Sequence, residues 1–454
     1  MKKNTRYFKY QKRERIMEKE KMIIKQTNLL DNNLISKLND IYSELEKNIE
    51  VIENLEYANL VNFSENLNLP RHRWFNIKEG FSAEIIKKLI KRFDGKYEDI
   101  VFDPFSGSGT TLLTAKELGV KSLGFEVNPF LAFLIENKTF DKSIDLIKHI
   151  DLIKNINIEK NVTIPKLSIS SKLFGGDLFE VLSIKKYIDS LENIEEKNLL
   201  KTAFLCSLEK ASKSKKDGNG LKYPKNKKII PFKEAIIEKI KEINEDINNF
   251  KVSKSESKIF NEDVRNLNEL TKDKLKDYVN NITLTMFSPP YMNCFDYTEV
   301  YKMELWFGDF IKEYEDLKIL REKSLTSHLN KKLQEGDHLS KSYITPIMDC
   351  INKDTLWNKK IPFMIQGYFE DMFKTLEGIF KLLKKDGYCI VIVGNSAYGN
   401  IAIPTDLILG RLGLDIGFKE CKIEIARHLG TSSQQSKKIN NKSLLRESLV
   451  ILKK

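Results

Sequence analysis

The stretch "DIVFDPFSGSGTTLLTAKELGVKSLGFEVN", residues 99–128, does most to limit what this chain can become. A short apolar run meets a glycine-rich turn, passes into a helix that stops at Gly119, and is followed by a second short apolar run. That order is a strand, a helix and a strand, and two strands joined through a helix lie parallel in one sheet. The spacing therefore predicts an α/β architecture. It also places the bare N–H groups of a helix N-terminus at the carboxyl edge of the sheet, where ligands of open α/β folds bind.

Which ligand is read from the side chains around the turn. A dinucleotide fingerprint wants a third glycine after Gly107-x-Gly109, and the chain has Leu112 there. Asp103, at the strand end, would repel a pyrophosphate but accept from an ammonium group. Glu126 closes the next strand 23 positions later, about where an acidic side chain grips ribose hydroxyls. Asp263 in "IFNEDVRNL" ends another expected strand and can accept from an adenine amino group. Three carboxylates, for the amino-acid end, the ribose and the base, describe S-adenosylmethionine.

A second motif lies at residues 283–297, "TLTMFSPPYMNCFDY". An apolar strand ends in Ser288-Pro289-Pro290-Tyr291, and the two prolines, with fixed φ and no N–H, hold carbonyls out of any ladder. A hydroxyl before them and a ring after them make a rigid hand for a flat molecule.

Together, "DPFSGSGTT", "GFEVNP", "NEDVRNL" and "SPPY" resemble the motif set of the amino-group DNA methyltransferases of restriction–modification systems, in the cytosine-N4 group. "RHRWFNIKEGFSAEIIKKLI", "GYFEDMFKTLEGIFKLL", "VGNSAYGNIAIPTD" and "IARHLGTSSQ" resemble the segments that flank those motifs, so the likeness runs from about residue 70 to the end. The resemblance implies a Rossmann-like sheet, mostly parallel with a C-terminal antiparallel hairpin and helical insertions. It implies methyl transfer from S-adenosylmethionine to an exocyclic amine of double-stranded DNA. Phe81, Asp103, Phe105, Gly107, Gly109, Thr110, Glu126, Asn128 and Asp263 are then the cofactor-binding candidates, and Ser288, Pro289, Pro290 and Tyr291 the catalytic ones. Ser in the tetrapeptide usually accompanies cytosine N4 and Asp adenine N6, and the same pocket serves either amine.

The chemistry calls for such a hand. The amine of cytosine is a weak nucleophile because its lone pair is delocalised into the ring. Hydrogen bonds from its two hydrogens to the Ser288 hydroxyl and the Pro289 carbonyl would aim that lone pair for direct in-line transfer, a positioning effect with no covalent intermediate. The base must first leave the duplex, which costs a few kcal/mol and is offset by stacking, with Tyr291 as the floor. Phe295 and Tyr297 are further rings nearby.

Contacts to DNA are sought among basic residues. The loop 213–228 carries Lys213, Lys215, Lys216, Lys222 and Lys225 around Gly and Pro. It is the strongest electrostatic candidate for phosphate contact. Arg427 and His428 in "IARHLGTSSQ" are candidates for the target strand. The Lys- and Arg-rich start reads as a solvated arm. His72 and Trp74 read equally as core or as site.

The chain divides on pattern into a helical N-terminal arm, 1–64, and a catalytic domain, 65–140 and 256–454. A mostly helical insertion occupies 141–255, and a helical excursion, 296–360, is a candidate for target recognition. Residues 28–61 read as helical, and "GFSAEIIKKLIKRF" as an amphipathic helix capped by Ser82.

Other classes are set aside on particular residues. None of the five cysteines follows a proline, as the nucleophile of a cytosine-C5 methyltransferase would. None has CxxC spacing, so no metal site is expected. Methylation of RNA or of a protein amide shares the fold, although glutamine enzymes are expected to show Asn-Pro-Pro-Tyr. A non-enzymatic relative would have lost the hand or Asp103, and no PD and ExK pair marks a fused nuclease. No apolar run approaches the roughly 18 residues that span a bilayer, and no apolar stretch follows the charged start, so no membrane and a cytoplasmic location are expected. A cognate restriction endonuclease is a partner the resemblance allows.

Overall fold

The structure, a computed structural model, describes residues 32–93, 98–218, 220–331, 340–430, 439 and 441–454. Among them the strands are Glu50–Glu53 (β1), Ile100–Asp103 (β2), Lys121–Phe125 (β3), Lys215–Asp217 (β4), Gly220–Lys222 (β5), Ser257–Phe260 (β6), Ile282–Phe287 (β7), Leu383–Gly394 (β8), Ser396–Tyr398 (β9), Ile401–Ile403 (β10), Glu420–His428 (β11) and Arg446–Lys453 (β12). Eight of them form one sheet in the order β1-β11-β12-β8-β7-β2-β3-β6. Pairing from β8 through β7, β2 and β3 to β6 is parallel throughout. β12 runs antiparallel between β8 and β11, with Val450 opposite both Val391 and Ile423. This is a Rossmann-like sheet, mostly parallel, with the expected antiparallel hairpin at the C-terminal side. Reversal of the strand order beside β2 opens a crevice at the carboxyl ends of β2 and β7, and both motifs stand there.

Alternation along the strands divides the apolar side chains between two layers. Cys389, Val391 and Val393 face one core with Met372, Leu376 and Ile379 of the helix Ile361–Leu382. Ile390 and Ile392 face the other with Ile85, Ile86 and Leu89 of the helix Ala83–Arg92. All six residues of β7 are buried, as the continuous apolar run of a central parallel strand requires. Ser82 caps the helix Ala83–Arg92 as expected, accepting from the Glu84 N–H at 3.1 Å.

The expected helix over 28–61 is corrected by the structure. Helix covers 32–46. A left-handed turn at Asn48 (φ 60) then releases the chain into β1, which pairs in parallel with β11. The β-branched Val51-Ile52 pair finds a ladder partner there, and that partner, some 370 residues away, lies outside any local pattern.

The two excursions share one core. The helices Leu178–Asp189, Ile194–Ala211 and Phe232–Asn249 bury Leu182, Phe204 and Ile240 against Met303, Leu305 and Trp306 of the helix Lys302–Phe307. Ile344, Ile347 and Ile351, later in the second excursion, pack instead on the sheet core. Buried Asp246 ties these helices to the segment 71–74 by accepting from the Arg71 N–H (2.7 Å), the Arg73 guanidinium (2.6 Å) and the Trp74 indole (2.9 Å). His72 and Trp74 are both buried, and the Trp74 indole N–H is taken by that carboxylate.

Candidate functional site

The glycine turn after β2 is held from several sides. The Ser106 hydroxyl donates to the Asp103 carbonyl at 2.9 Å, and the Gly109 N–H to the Ser106 carbonyl at 2.7 Å. Gly107 (φ +53) and Gly109 (φ +82) occupy the left-handed region, and a Cβ on Gly109 would stand 2.7 Å from Ile135 Cγ1. The second glycine thus lets the helix Thr110–Glu117 approach the helix Pro129–Lys138. Thr110 is buried, 3.5 Å from the Asn66 amide. Lys138, buried beneath, donates to the Ser108 carbonyl at 3.1 Å and pins the turn from below.

Above the turn opens a cavity of about 830 Å³, open solvent at its mouth included. Phe105, Gly107, Glu126, Asn128, Ser288 and Pro290 are in its wall. Glu126 accepts from the Gly107 N–H and the Asn128 N–H, each at 2.8 Å, so its two oxygens are fixed and each keeps a lone pair for a ligand hydroxyl. Burial pushes its carboxyl up to about 7. Asn128 also caps the helix Pro129–Lys138, accepting from the Phe130 N–H at 3.0 Å.

Asp103 is buried behind the turn. Its Oδ1 accepts from the Phe105 N–H at 3.0 Å, Oδ2 has no hydrogen-bond partner, and burial raises the carboxyl to about 7. An unpaired buried carboxylate oxygen costs stability unless a donor arrives. A ribose would satisfy Glu126 in the cavity wall, whereas Asp103, 1% exposed and outside that wall, has the buried Thr111 hydroxyl beside it. The residues present fit S-adenosylmethionine.

A second cavity, about 960 Å³ with its mouth, lies on the other side of the hand, lined by Ser288, Tyr291, Asn293, Asn395, Arg427 and Glu447 among others. Ser288 and Glu79 are in the walls of both cavities. Pro289 is buried between them. The Tyr291 ring lies over the backbone of Gly394, where a Cβ would stand 3.1 Å from its Cε2. Its hydroxyl donates to Glu447 Oε1, and Glu447 Oε2 accepts from Arg427 at 2.7 Å. Burial first, then the Glu447 carboxylate, holds the phenol protonated.

Several expected residues stand elsewhere. Asp263 is held by Arg265, accepting from its Nη2 at 2.6 Å and its backbone N–H at 3.0 Å, and it faces a neighbouring cavity, whereas Glu262 and Val264 face the first one. Phe81 lines the second cavity and not the first, and shares a core cluster with Ile85. Tyr297 lines the first cavity, not a DNA-facing surface. Phe295 is buried in the helical module with its ring 4.5 Å from Tyr297, so its face is already covered.

The basic loop folds as the hairpin β4-β5, which points alternate side chains to opposite sides. Lys215 and Lys222 are exposed, the latter paired with Asp217 at 2.5 Å. Lys216 points inward to Glu304 and is 2% exposed, so it cannot reach a phosphate. Arg427 is half-buried in the second cavity and engaged by Glu447. The Lys- and Arg-rich arm, 1–31, lies outside the described residues. Glu447, Asn395 and Lys138 escaped the sequence reading. Their places depend on pairings across the sheet, and no local signal marks them.

Among the described residues no helix is long and apolar enough to cross a membrane, and no cluster of three or more potential metal ligands occurs. All five cysteines are free thiols.

A family model described as DNA methylase matches residues 1–137. The type II methyltransferase M.AvaI of a Nostoc species is 29% identical over 417 residues, covering 83% of this chain and 85% of that one. The type II methyltransferase M.BsoBI of Geobacillus stearothermophilus is 28% identical over 462 residues, covering 90% and 91%. A solved rRNA methyltransferase of Streptomyces viridochromogenes overlaps only loosely, at a TM-score of 0.28 and 8% identity, covering 86% of this chain and 92% of that one. With the glycine turn, the Glu126 cradle and the proline-locked Ser288–Tyr291 loop assembled at one sheet edge, the chain is similar to the amino-group DNA methyltransferases of restriction–modification type, and S-adenosylmethionine is its cofactor.

Proposed function

We propose that the protein methylates the N4 amine of a cytosine drawn out of double-stranded DNA at a specific sequence. The observation that carries this reading is the position of Ser288 in the wall between two cavities, one fitted to the cofactor and one open beyond it. Bound in the first cavity, S-adenosylmethionine supplies an electrophilic methyl group. Asp103, Phe105, Gly107, Glu126 and Asn128 hold it there. The Ser288 hydroxyl and the Pro289 carbonyl accept the two amine hydrogens and aim the nitrogen lone pair at the wall. Pro290 keeps that loop stiff. Tyr291, fixed by Glu447, is the surface on which the extruded base rests.

Lys215 and Lys222 on the β4-β5 hairpin, which packs against the helix Tyr297–Val300 just after the hand, are placed to meet phosphates. The 296–360 excursion is our candidate for reading the target sequence, and a cognate restriction endonuclease our candidate partner.

The test is incubation of methyl-labelled cofactor with unmethylated bacterial DNA, followed by nucleoside mass spectrometry and mapping of the modified positions. Labelled N4-methylcytosine at one short sequence is expected. N6-methyladenine would overturn the choice of base and leave the family assignment standing.

A further inference from the structure

Tryptophan is the residue whose exposure is costliest, and this chain has three. Trp74 and Trp306 are each 1% exposed, whereas Trp357 is 69% exposed. It sits in the segment 352–360, "NKDTLWNKK", where three lysines, Lys353, Lys359 and Lys360, stand against one carboxylate, Asp354. All three lysines are exposed, and none has an ion-pair partner among the described residues.

Trp357 is also on the rim of a cleft of about 1050 Å³, mouth included. Met292, Asn293, Cys294, Ser396 and Tyr398 line its floor. Asn293 and Ser396 also line the cavity beyond Ser288, so the two openings are neighbours that share these two wall residues. The floor is rigid, since the Ser396 hydroxyl (2.9 Å) and the Tyr398 hydroxyl (2.7 Å) both donate to the Met292 carbonyl. A single exposed apolar side chain means little by itself. An exposed indole among unpaired lysines, at the edge of a cleft next to the cavity beyond Ser288, matches the surface that nucleic acid requires: a flat ring for a base and cations for the phosphates beside it.

We propose that this cleft is a second DNA contact, in which the Trp357 indole stacks on a nucleobase next to the extruded nucleotide while Lys353, Lys359 and Lys360 engage the adjoining phosphates. The inference rests on reading the cavity beyond Ser288 as the seat of a DNA base. Withdrawing one base leaves a neighbour with an uncovered face, and an aromatic ring at the protein surface replaces the lost stacking.

Intrinsic fluorescence tests this directly, because two of the three tryptophans are shielded already. The full-length protein is titrated with a short unmethylated duplex containing the mapped site, and acrylamide quenching is followed for the wild type, Trp357→Phe and Trp357→Ala. The accessible emission should belong to Trp357, vanish in both variants, and become shielded when the wild type is saturated with duplex. Trp357→Ala should weaken duplex binding by roughly tenfold or more, and Trp357→Phe should restore most of it. An indole that stays equally quenchable in the saturated complex, with Trp357→Ala binding as the wild type does, would overturn the proposal. The two readings fail separately: a methylated base other than cytosine would refute the choice of target and leave the shielding result intact, whereas an unshielded Trp357 would leave N4-methylcytosine as the product.

Discussion

The hydroxyl of Tyr291 donates to Glu447, a residue 156 positions later in the chain, at 2.5 Å. This bond joins the loop that ends β7 to β12, the strand inserted antiparallel into the sheet, and Arg427 on β11 completes it from the other side. The hand is thus braced by the C-terminal hairpin. Removing the hydroxyl in Tyr291→Phe should cost roughly 1–3 kcal/mol in urea denaturation, as for a hydrogen bond to a charged group, and should lower methyl transfer more than cofactor affinity. Unchanged stability would mean that the bond contributes nothing to the fold.

Ser288→Ala removes the group common to both cavity walls. Cofactor binding by calorimetry should remain within about twofold, and single-turnover methyl transfer should fall roughly 100-fold, the scale of losing one preorganised polar contact at a reacting centre. A collapse of cofactor affinity instead would place Ser288 in the binding site alone.

Asp103 gives the protein without cofactor a pH dependence of definite sign. Its carboxyl titrates at about 7 when folded against an ordinary 3.8, because burial opposes ionisation. Below 3.8 both states keep the proton. Between the two values the unfolded chain releases it while the folded chain holds it, so this contribution to stability is full at low pH and is lost as pH rises through about 7. Asp103→Asn retains the acceptor for the Phe105 N–H and should flatten that decline in melting temperature between pH 5 and 8. The same variant should weaken cofactor binding most above pH 7, where the wild-type carboxylate is charged.

Lys216 and Lys215 are neighbours with opposite prospects. Lys216→Met leaves Glu304 buried and unpaired and should cost about 3–5 kcal/mol of stability. Lys215→Ala should leave stability within about 0.5 kcal/mol and lower the slope of log binding constant against log salt by roughly one. Equal stability losses at the two positions would contradict the hairpin's alternation.

Of the site, the parts fixed by short-range chain geometry were legible in advance. The turn from Asp103 to Gly109, the carboxylate at Glu126 and the proline-locked Ser288–Tyr291 each need only local backbone rules to be recognised. The alternation that exposes Lys215 and Asp217 and buries Lys216 has no counterpart in the residue types, which are charged at all three positions. The glycines and lysines there read as an open loop. Asp263, by contrast, has its partner Arg265 only two residues on, so the pairing was open to view beside the cofactor role expected of it.

By itself the sequence determined a parallel α/β core with a glycine turn and a proline-locked loop at the ends of two of its strands, because strand period, glycine conformation and proline stiffness act over a few residues. Only the tertiary structure decided that β1 joins the sheet through β11, that the two excursions share one core, and that Glu447 braces Tyr291. Each of those depends on which distant surfaces exclude water together. That is settled by the packing of the whole chain, and no window of sequence contains both partners.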